Sequence, residues 1–487
     1  VSWEGLFRNL ALARHRAANK PFGADQTGLL APGAPPPPPN FLGDVFDYRG
    51  AAPLGDVSNL QRQPIPVGRV VDLDRQEPAT PIGFPFVLLQ RHVAIIGPTG
   101  SGKTVGLVVP WIDAALRAGY AVVAGDVKGN LREALARYVQ RRGKIGVPMR
   151  RWDYRDPGRS RSWHWISELT DERAVDGALT ALFGEQDREA KIDPFFKRRD
   201  YRALRGLLKF APSIRSPNTL TVADLLALLK DQDAVARLVD RHPRAPGATD
   251  LDLAATMDAH DYERAISGAR EVLTLLNTSA FIQATSRVDL RLDEVIDGPG
   301  LLLVGSPTDE DPLGQAAAGL MFNSIAHRLY RRYQSGQQGY PVLLIVDEAP
   351  RIASQFDFER PLSIARGANV SIVLAMQAVS QFEEDKRDAI FGGLGTVITL
   401  GGVGHTTAEY VSKRYGERQS QRYGFNDPGM FNSVGASLIT ETVPVLATRE
   451  IMQLPFGEHP AIVHVNAAGI PVTRRPIVTD LTDNGMY

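Results

Sequence analysis

The chain has 487 residues, 55 Lys plus Arg against 55 Asp plus Glu, 43% hydrophobic residues and no cysteine. That length predicts roughly two to four domains, and the apolar share is enough to fill real cores, which excludes global disorder. Without cysteine there is no disulfide framework, thiolate zinc site, iron–sulfur cluster or thiol nucleophile, and zero net charge announces no nucleic-acid partner beyond local patches.

In chain order, the first 20 residues mix Arg8, Arg14, Arg16 and Lys20 with short apolar stretches, which is not the pattern of a secretory signal. The chain opens with Val rather than Met, so a piece of a longer protein is expected, with any membrane anchor upstream of it. No apolar run approaches the roughly 18–20 residues of a membrane-spanning helix. Of the 34 prolines, 13 fall in the first 90 residues, including Pro35–Pro39; residues 1–60 are therefore expected to form an arm with a proline-rich linker. A spacer is the simpler reading of that linker, and a target for a proline-binding partner the alternative.

From Phe86 the texture becomes short apolar runs alternating with helical patterns. Val93–Ile96, Tyr120–Ala124, Val147–Trp152, Leu301–Val304, Val342–Val346, Val370–Ala375, Thr396–Leu400 and Ala461–Val465 read as strands, and a helix after the first reaches about Ala118. Strands separated by helices predict a mostly parallel sheet covered on both faces. Between the third and fourth strands, Tyr201, Leu204, Leu208 and Ala211 fall at helical spacing. Thr221-x-x-Asp224 reads as a capping box, and Glu263–Leu276 as another helix. The expected division is residues 61–157 and 299–487 as two parts of one α/β domain, with an all-α insert at 158–298.

Gly97-Pro98-Thr99-Gly100-Ser101-Gly102-Lys103-Thr104 fits GxxxxGK[ST] between a strand and a helix. The glycines let backbone N–H groups converge on phosphate oxygens. Lys103 reaches the β/γ-phosphates and Thr104 ligates Mg2+, so ATP and Mg2+ are the expected cofactors. The strand Val342–Val346 runs into Asp347 and Glu348. Beside a P-loop, the first acid holds Mg2+ through water and the second activates the attacking water. The 244 positions between Lys103 and Asp347 exceed a minimal P-loop fold and call for the insert. Gln377 ends the Val370–Ala375 strand, where ligand contacts gather in open α/β sheets; sensing the γ-phosphate and satisfying a loop are equal readings there. Arg366 reads as a solvated charge unless a ring of subunits carries it to a neighbour's ATP. Basic clusters at Arg141/Arg142/Lys144, Arg150/Arg151/Arg155, Arg159/Arg161 and Lys197/Arg198/Arg199 interleave with Tyr154, Trp163, Trp165, Phe195 and Phe196. Such a mixture suits phosphate contacts with base stacking on single strands; ordinary solvated helix faces are the bland alternative.

Together these pieces resemble the TraG/TraD family of type IV secretion coupling proteins. After the P-loop come Gly125-Asp126-Val127-Lys128-Gly129-Asn130, similar to the family's D-x-K-G-E element with Asn130 in place of the acid, and Asp347-Glu348-Ala349-Pro350-Arg351, similar to DEFPRLG. Ala365–Ser371 leads into Met376-Gln377-Ala378-Val379-Ser380-Gln381, resembling the arginine passage and sensor segment. Val443–Pro455 resembles the terminal RPLLTPDEIxxLP. The resemblance implies a RecA-like P-loop nucleotide-binding domain with an inserted all-α, cargo-recognising domain. It implies a homo-hexamer around a channel, a monomer where the anchor is absent, at the cytoplasmic face of the bacterial inner membrane. It adds Asp126 and Lys128 to the nucleotide site and makes Arg366 a trans-acting arginine and Gln377 a γ-phosphate sensor. The implied function is ATP hydrolysis that drives single-stranded DNA with its relaxase, or protein effectors, into a type IV secretion channel and its components. The alternatives are an FtsK/HerA-like DNA translocase, a mainly non-hydrolytic cargo receptor and, less in keeping with the length, a P-loop kinase.

Overall fold

The computed structural model describes residues 64–72, 77–127, 129–142, 146–184, 194–214, 219–305, 311–336, 339–426, 435–454, 459–465 and 477–481. The proline-rich arm, Lys128, Lys144 and Pro455 lie outside them, as do the side chains of Arg142, Phe195, Phe196, Lys197, Arg198 and Arg199. The chain divides into two compact units. One contains Pro64–Pro110 and Met376–Tyr487, the other Trp111–Ala375.

In the first unit the strands run in the order β2 (Glu77–Pro85), β1 (Pro64–Asp72), β13 (Ile477–Asp480), β12 (Pro460–Val465), β9 (Thr396–Leu400) and β3 (Val93–Ile96). β3 and β9 are parallel, Val93 opposite Thr396 and Ile96 opposite Thr399, whereas β9, β12, β13, β1 and β2 pair antiparallel. β3 is buried on both faces, hence its unbroken Val-Ala-Ile-Ile. A separate hairpin pairs β10 (Glu417–Asn426) with β11 (Gly435–Pro444), Glu417 opposite Pro444. Before it, helix His405–Tyr415 buries Ala408, Val411 and Tyr415.

In the second unit five parallel strands run in the order β8 (Val370–Met376, its last residue counted with the first unit), β7 (Val342–Asp347), β4 (Ala121–Asp126), β6 (Gly300–Gly305) and β5 (Met149–Asp153). The register places Asp126 opposite both Asp347 and Gly305, and Asp153 opposite Gly305, so the strands' carboxyl ends form one edge. β4, β6, β7 and β8 are buried throughout, the signature of a sheet covered on both sides. The 24-residue helix Pro312–Ser335 is one cover. Helix Glu172–Phe183 packs on it so closely that a Cβ at Gly319 would stand 2.9 Å from that of Ala181.

Among the described residues no strand occurs between β5 and β6, as the sequence predicts. Helices Pro194–Ile214, Val222–Leu229, Gln232–Arg241, Ala248–Ala255 and Ala259–Leu276 pack around Leu204, Leu208, Leu225, Val235, Ile266 and Leu273. The capping box forms: Asp224 N–H donates to Thr221 Oγ1 at 3.2 Å, and Thr221 N–H to Asp224 Oδ2 at 2.9 Å. Tyr262 closes the bundle by donating its hydroxyl to Leu229 O at 2.8 Å.

Candidate functional site

In the first unit the Gly97–Thr104 loop leaves the end of β3, and Gly97 N–H donates to Met376 O at 3.1 Å, tying the loop to the residue before Gln377. Gly100 and Gly102 take φ of 81° and 91°, left-handed conformations that a side chain would strain. Gly97 is needed for a different reason: a Cβ there would lie 2.9 Å from Leu400 Cβ and 2.6 Å from Ser101 Oγ. Ser101 Oγ donates to Pro98 O at 2.7 Å and closes the loop on itself. From Lys103 the chain winds as a wide π-helix to Val108 and continues as an α-helix to Arg117. The buried Lys103 ammonium turns back onto the loop, donating to Gly97 O and, at 3.2 Å, to Pro98 O. A cation folded over glycine-permitted backbone at a helix start fits a polyphosphate, and Thr104 stands half-buried beside it, a hydroxyl suited to Mg2+. Thr99 is exposed at the loop's tip.

Gln377 follows β8 in a segment braced from three sides. Gln381 Oε1 accepts from the backbone N–H of Gln377 at 2.8 Å and of Ala378 at 3.0 Å. Val379 N–H donates to Thr407 Oγ1 at 3.3 Å, and Arg387 Nε donates to Val379 O at 3.1 Å. Sequence reasoning missed Thr407 and Arg387, because nothing in linear spacing pairs them with Gln377. Gln381 was visible only as part of a resembling motif.

In the second unit, register brings Asp126 and Asp347 side by side, with Glu348 next along the chain. All three are buried. Asp126 is committed to local structure: Oδ1 accepts from Leu131 N–H at 3.1 Å and Oδ2 from Arg132 N–H at 3.4 Å, holding the start of helix Leu131–Arg142. Burial pushes its carboxyl above the usual range, and backbone donors, Leu131 N–H first, work against that. Glu348 adopts φ 63°, a left-handed conformation for a residue with a side chain. Such strain costs about 1–3 kcal/mol and gathers at functional positions. Among the described residues no three or more His, Asp or Glu side chains converge to hold a metal ion. That is compatible with Mg2+ chemistry, in which one or two protein ligands share the ion with phosphates and water.

Arg366 lies elsewhere. It sits exposed on the turn Ala365–Ala368 before β8, and β8 pairs in parallel with β7, Val370 opposite Val342. It therefore stands by the amino ends of strands whose carboxyl ends carry Asp347 and Glu348, about 17 Å away at ~3.3 Å per residue. The turn is clamped. Arg332 is buried and donates to Tyr340 O at 2.9 Å, Ile296 O at 2.8 Å, Ala368 O at 3.5 Å and Asp297 Oδ1 at 2.5 Å. Asn369, at φ 58°, donates its side-chain amide to Gly339 O at 3.0 Å.

The expectation of base-stacking aromatics is corrected for Tyr154, Trp163 and Trp165, whereas Phe195, Phe196 and the Lys197/Arg198/Arg199 cluster lie outside the described side chains. Trp163, Trp165 and Tyr154 are buried, Trp163 edge-on to Trp152 at 5.4 Å, and Tyr154 gives its hydroxyl to Asp311. Arg151 pairs with Asp153 and Asp156, both at 2.7 Å, and Arg155 with Asp153 at 3.1 Å. The aromatics fill a core, and these arginines are occupied.

Residues 75–470 match the family model described as type IV secretory system conjugative DNA transfer. The conjugal transfer protein TraG of Escherichia coli is 24% identical over 420 residues, which are 78% of this chain and 64% of TraG, so the chain spans just under two thirds of that relative. The bacterial conjugative coupling protein TrwBdeltaN70, in a trigonal form with sulphate, superposes with a TM-score of 0.60 at 18% identity, covering 89% of this chain and 97% of its own. The plasmid coupling protein TrwB in complex with ADP and Mg2+ gives 0.59 at 16% identity, covering 82% and 88%. These likenesses establish the fold as a RecA-like P-loop domain with an all-α part, as the sequence motifs lead one to expect. No described helix is long and apolar enough to cross a membrane. Matched over residues 75–470, the chain belongs to the type IV secretory system conjugative DNA-transfer family.

Proposed function

We propose that this chain hydrolyses ATP to drive substrate into a type IV secretion channel, as the motor part of a conjugative coupling protein. The observation that carries the reading is a P-loop ending in Lys103 and Thr104 together with a strained, buried Glu348 after Asp347, within the family-matched residues. Gly97, Thr99, Gly100, Ser101 and Gly102 shape the phosphate loop, and Lys103 neutralises β/γ-phosphate charge. By motif Thr104 and Asp347 are each assigned to Mg2+, which would supply charge neutralisation on the phosphates. Glu348 takes the proton of the attacking water, and Gln377 reports the γ-phosphate. Asp126 braces the edge that bears Asp347, and Lys128 is assigned to the same nucleotide site by motif alone.

The place of Arg366 by the amino ends of β7 and β8 supports action on a neighbouring copy, the arrangement of a homo-hexameric ring. The cargo is single-stranded DNA with its relaxase, or effector proteins, at the cytoplasmic face of the bacterial inner membrane. The helices within 158–298 are the cargo-recognising part, between the ATPase parts 61–157 and 299–487. Titration with a fluorescent ATP analogue and Mg2+ tests the first step. Binding that Lys103→Ala removes supports the reading, and binding indifferent to Lys103 refutes it.

A further inference from the structure

The long helix Pro312–Ser335 exposes an unusual surface near its end. Arg173 lies over the ring of Tyr330 at 4.0 Å, and Arg360 approaches the same ring at 6.0 Å. One turn on, Tyr333 is 47% exposed and lies across Gly367, where a Cβ would stand 2.5 Å from its ring. Gly367 in turn follows Arg366. Two arginines and two tyrosines thus share one face, with Arg366 next in the chain to Gly367, and among the described residues none of Arg173, Arg360 and Arg366 has a carboxylate in ion-pairing range. The neighbouring arginines show the contrast: Arg328 binds Glu168 and Asp293, and Arg332 binds Asp297.

The chain carries as many acids as bases, so counter-charge for this face exists on other surfaces of the same molecule. Helix Glu384–Gly392 offers it. Glu384 and Asp388, one turn apart and therefore on one side of the helix, are exposed, with Asp385 and Glu383 beside them. The ion pair in this group joins Lys386 to Glu383 at 3.4 Å, and Glu384 and Asp388 have none among the described residues. This helix follows directly on the braced segment that carries Gln377.

We propose that the Arg173–Tyr330–Arg360–Tyr333 face docks on the Glu384/Asp388 face of a second copy of this chain. The two faces use different residues, so the contact is head-to-tail and propagates into a ring or filament rather than closing as a two-fold dimer. Aromatic and arginine side chains are the groups that anchor protein interfaces, and opposed charges fix register. The pairing sets Arg366, the neighbour of Tyr333 and Gly367, toward the element that bears Gln377. This inference rests on the trans role proposed for Arg366 and names the surfaces that role requires.

A charge swap tests it by sedimentation velocity over rising protein concentration, with ATP and Mg2+, at low and high salt. Arg360→Glu, and Glu384→Arg with Asp388→Arg, should each weaken self-association by about tenfold or more, and mixing the two variants should restore it. Salt should weaken the wild-type association. The proposal is overturned if, with the chains held together by an artificial hexamer-forming tag in place of an anchor, hydrolysis is the same in the wild type and in both charge-swap variants. It is equally overturned if the variants associate as the wild type does, or if Arg360→Glu loses only binding to a single-stranded oligonucleotide. ATP binding and hydrolysis in the same samples keep the two ideas apart. Charge-dependent assembly without ATP binding sinks the motor reading alone; hydrolysis indifferent to the swap sinks this interface alone.

Discussion

Replacing Arg332 by Met keeps most of the side-chain volume and removes the guanidinium that ties the end of helix Pro312–Ser335 to the Tyr340 and Ile296 carbonyls beside the Arg366 turn. Two of its bonds, to Tyr340 O at 2.9 Å and Ile296 O at 2.8 Å, are well formed, and hydrogen bonds from a charged donor contribute about 1.5–3 kcal/mol each. The contact to Ala368 O at 3.5 Å adds little. The ion pair with Asp297 is short, but that carboxylate is 58% exposed, so solvent screening holds its share to about 0–1 kcal/mol. The expected loss is about 4 kcal/mol, near the top of what single substitutions do. At about 2–4 °C per kcal/mol for a unit of this size, the unfolding midpoint falls by roughly 8–16 °C. Calorimetry reads the midpoint and urea titration the free energy. Asp297→Asn should cost no more than about 1 kcal/mol. Two results would refute the reasoning: Arg332→Met within about 1 kcal/mol of wild type, or Asp297→Asn as costly as Arg332→Met. The second would make the ion pair, rather than the carbonyl clamp, the source of stability.

Three other expectations follow from particular contacts. Gly97→Ala drives a methyl group into Leu400 and Ser101 Oγ, so ATP affinity should drop at least about tenfold and stability by about 1–3 kcal/mol, read by nucleotide titration and urea unfolding. His464 on β12 meets the ring of Tyr415 edge-on at 4.7 Å, and burial pushes its imidazole down to about 4. Between pH ~6.5 and ~4 the unfolded chain therefore binds the extra proton, and stability should fall by about 3 kcal/mol as pH drops through that window. His464→Leu should remove that share of the pH dependence in urea titrations at stepped pH. Arg366→Ala should lower kcat by about 10³-fold or more with little change in ATP affinity. Mixed with a Glu348→Gln chain it should regain activity if the arginine serves a neighbour; no regain at any ratio would mean it does not.

The sheet's central strands were legible because burial on both faces leaves unbroken apolar runs, and Thr396–Leu400 was placed to the residue. The antiparallel rim was not. β1 and β2 are studded with Pro64, Pro66, Pro78, Pro81 and Pro85, which read as breaks, yet proline is tolerated toward a sheet's edge. The hairpin strand Glu417–Asn426 is polar and lacks alternation, so its pairing could not be seen. Composition also misled: Tyr154, Trp163 and Trp165 among arginines look like a stacking platform, but only packing tells a buried ring from an exposed one. The P-loop and the Asp347-Glu348 pair could be read because their chemistry is written in consecutive residues. The bracing of Gln377 by Thr407 and the contact of Arg332 with Ala368 join residues distant in sequence, and the hold of Asp126 on Leu131 N–H depends on how the intervening loop turns, so only the fold shows them.

The most direct test is steady-state ATP hydrolysis by this chain over a range of protein concentrations, with and without single-stranded DNA, beside Glu348→Gln. The account predicts hydrolysis that climbs steeply with protein concentration, rises with DNA and disappears in Glu348→Gln while ATP remains bound. Hydrolysis that persists unchanged in Glu348→Gln, or bound ATP that is never turned over at any concentration, would contradict it.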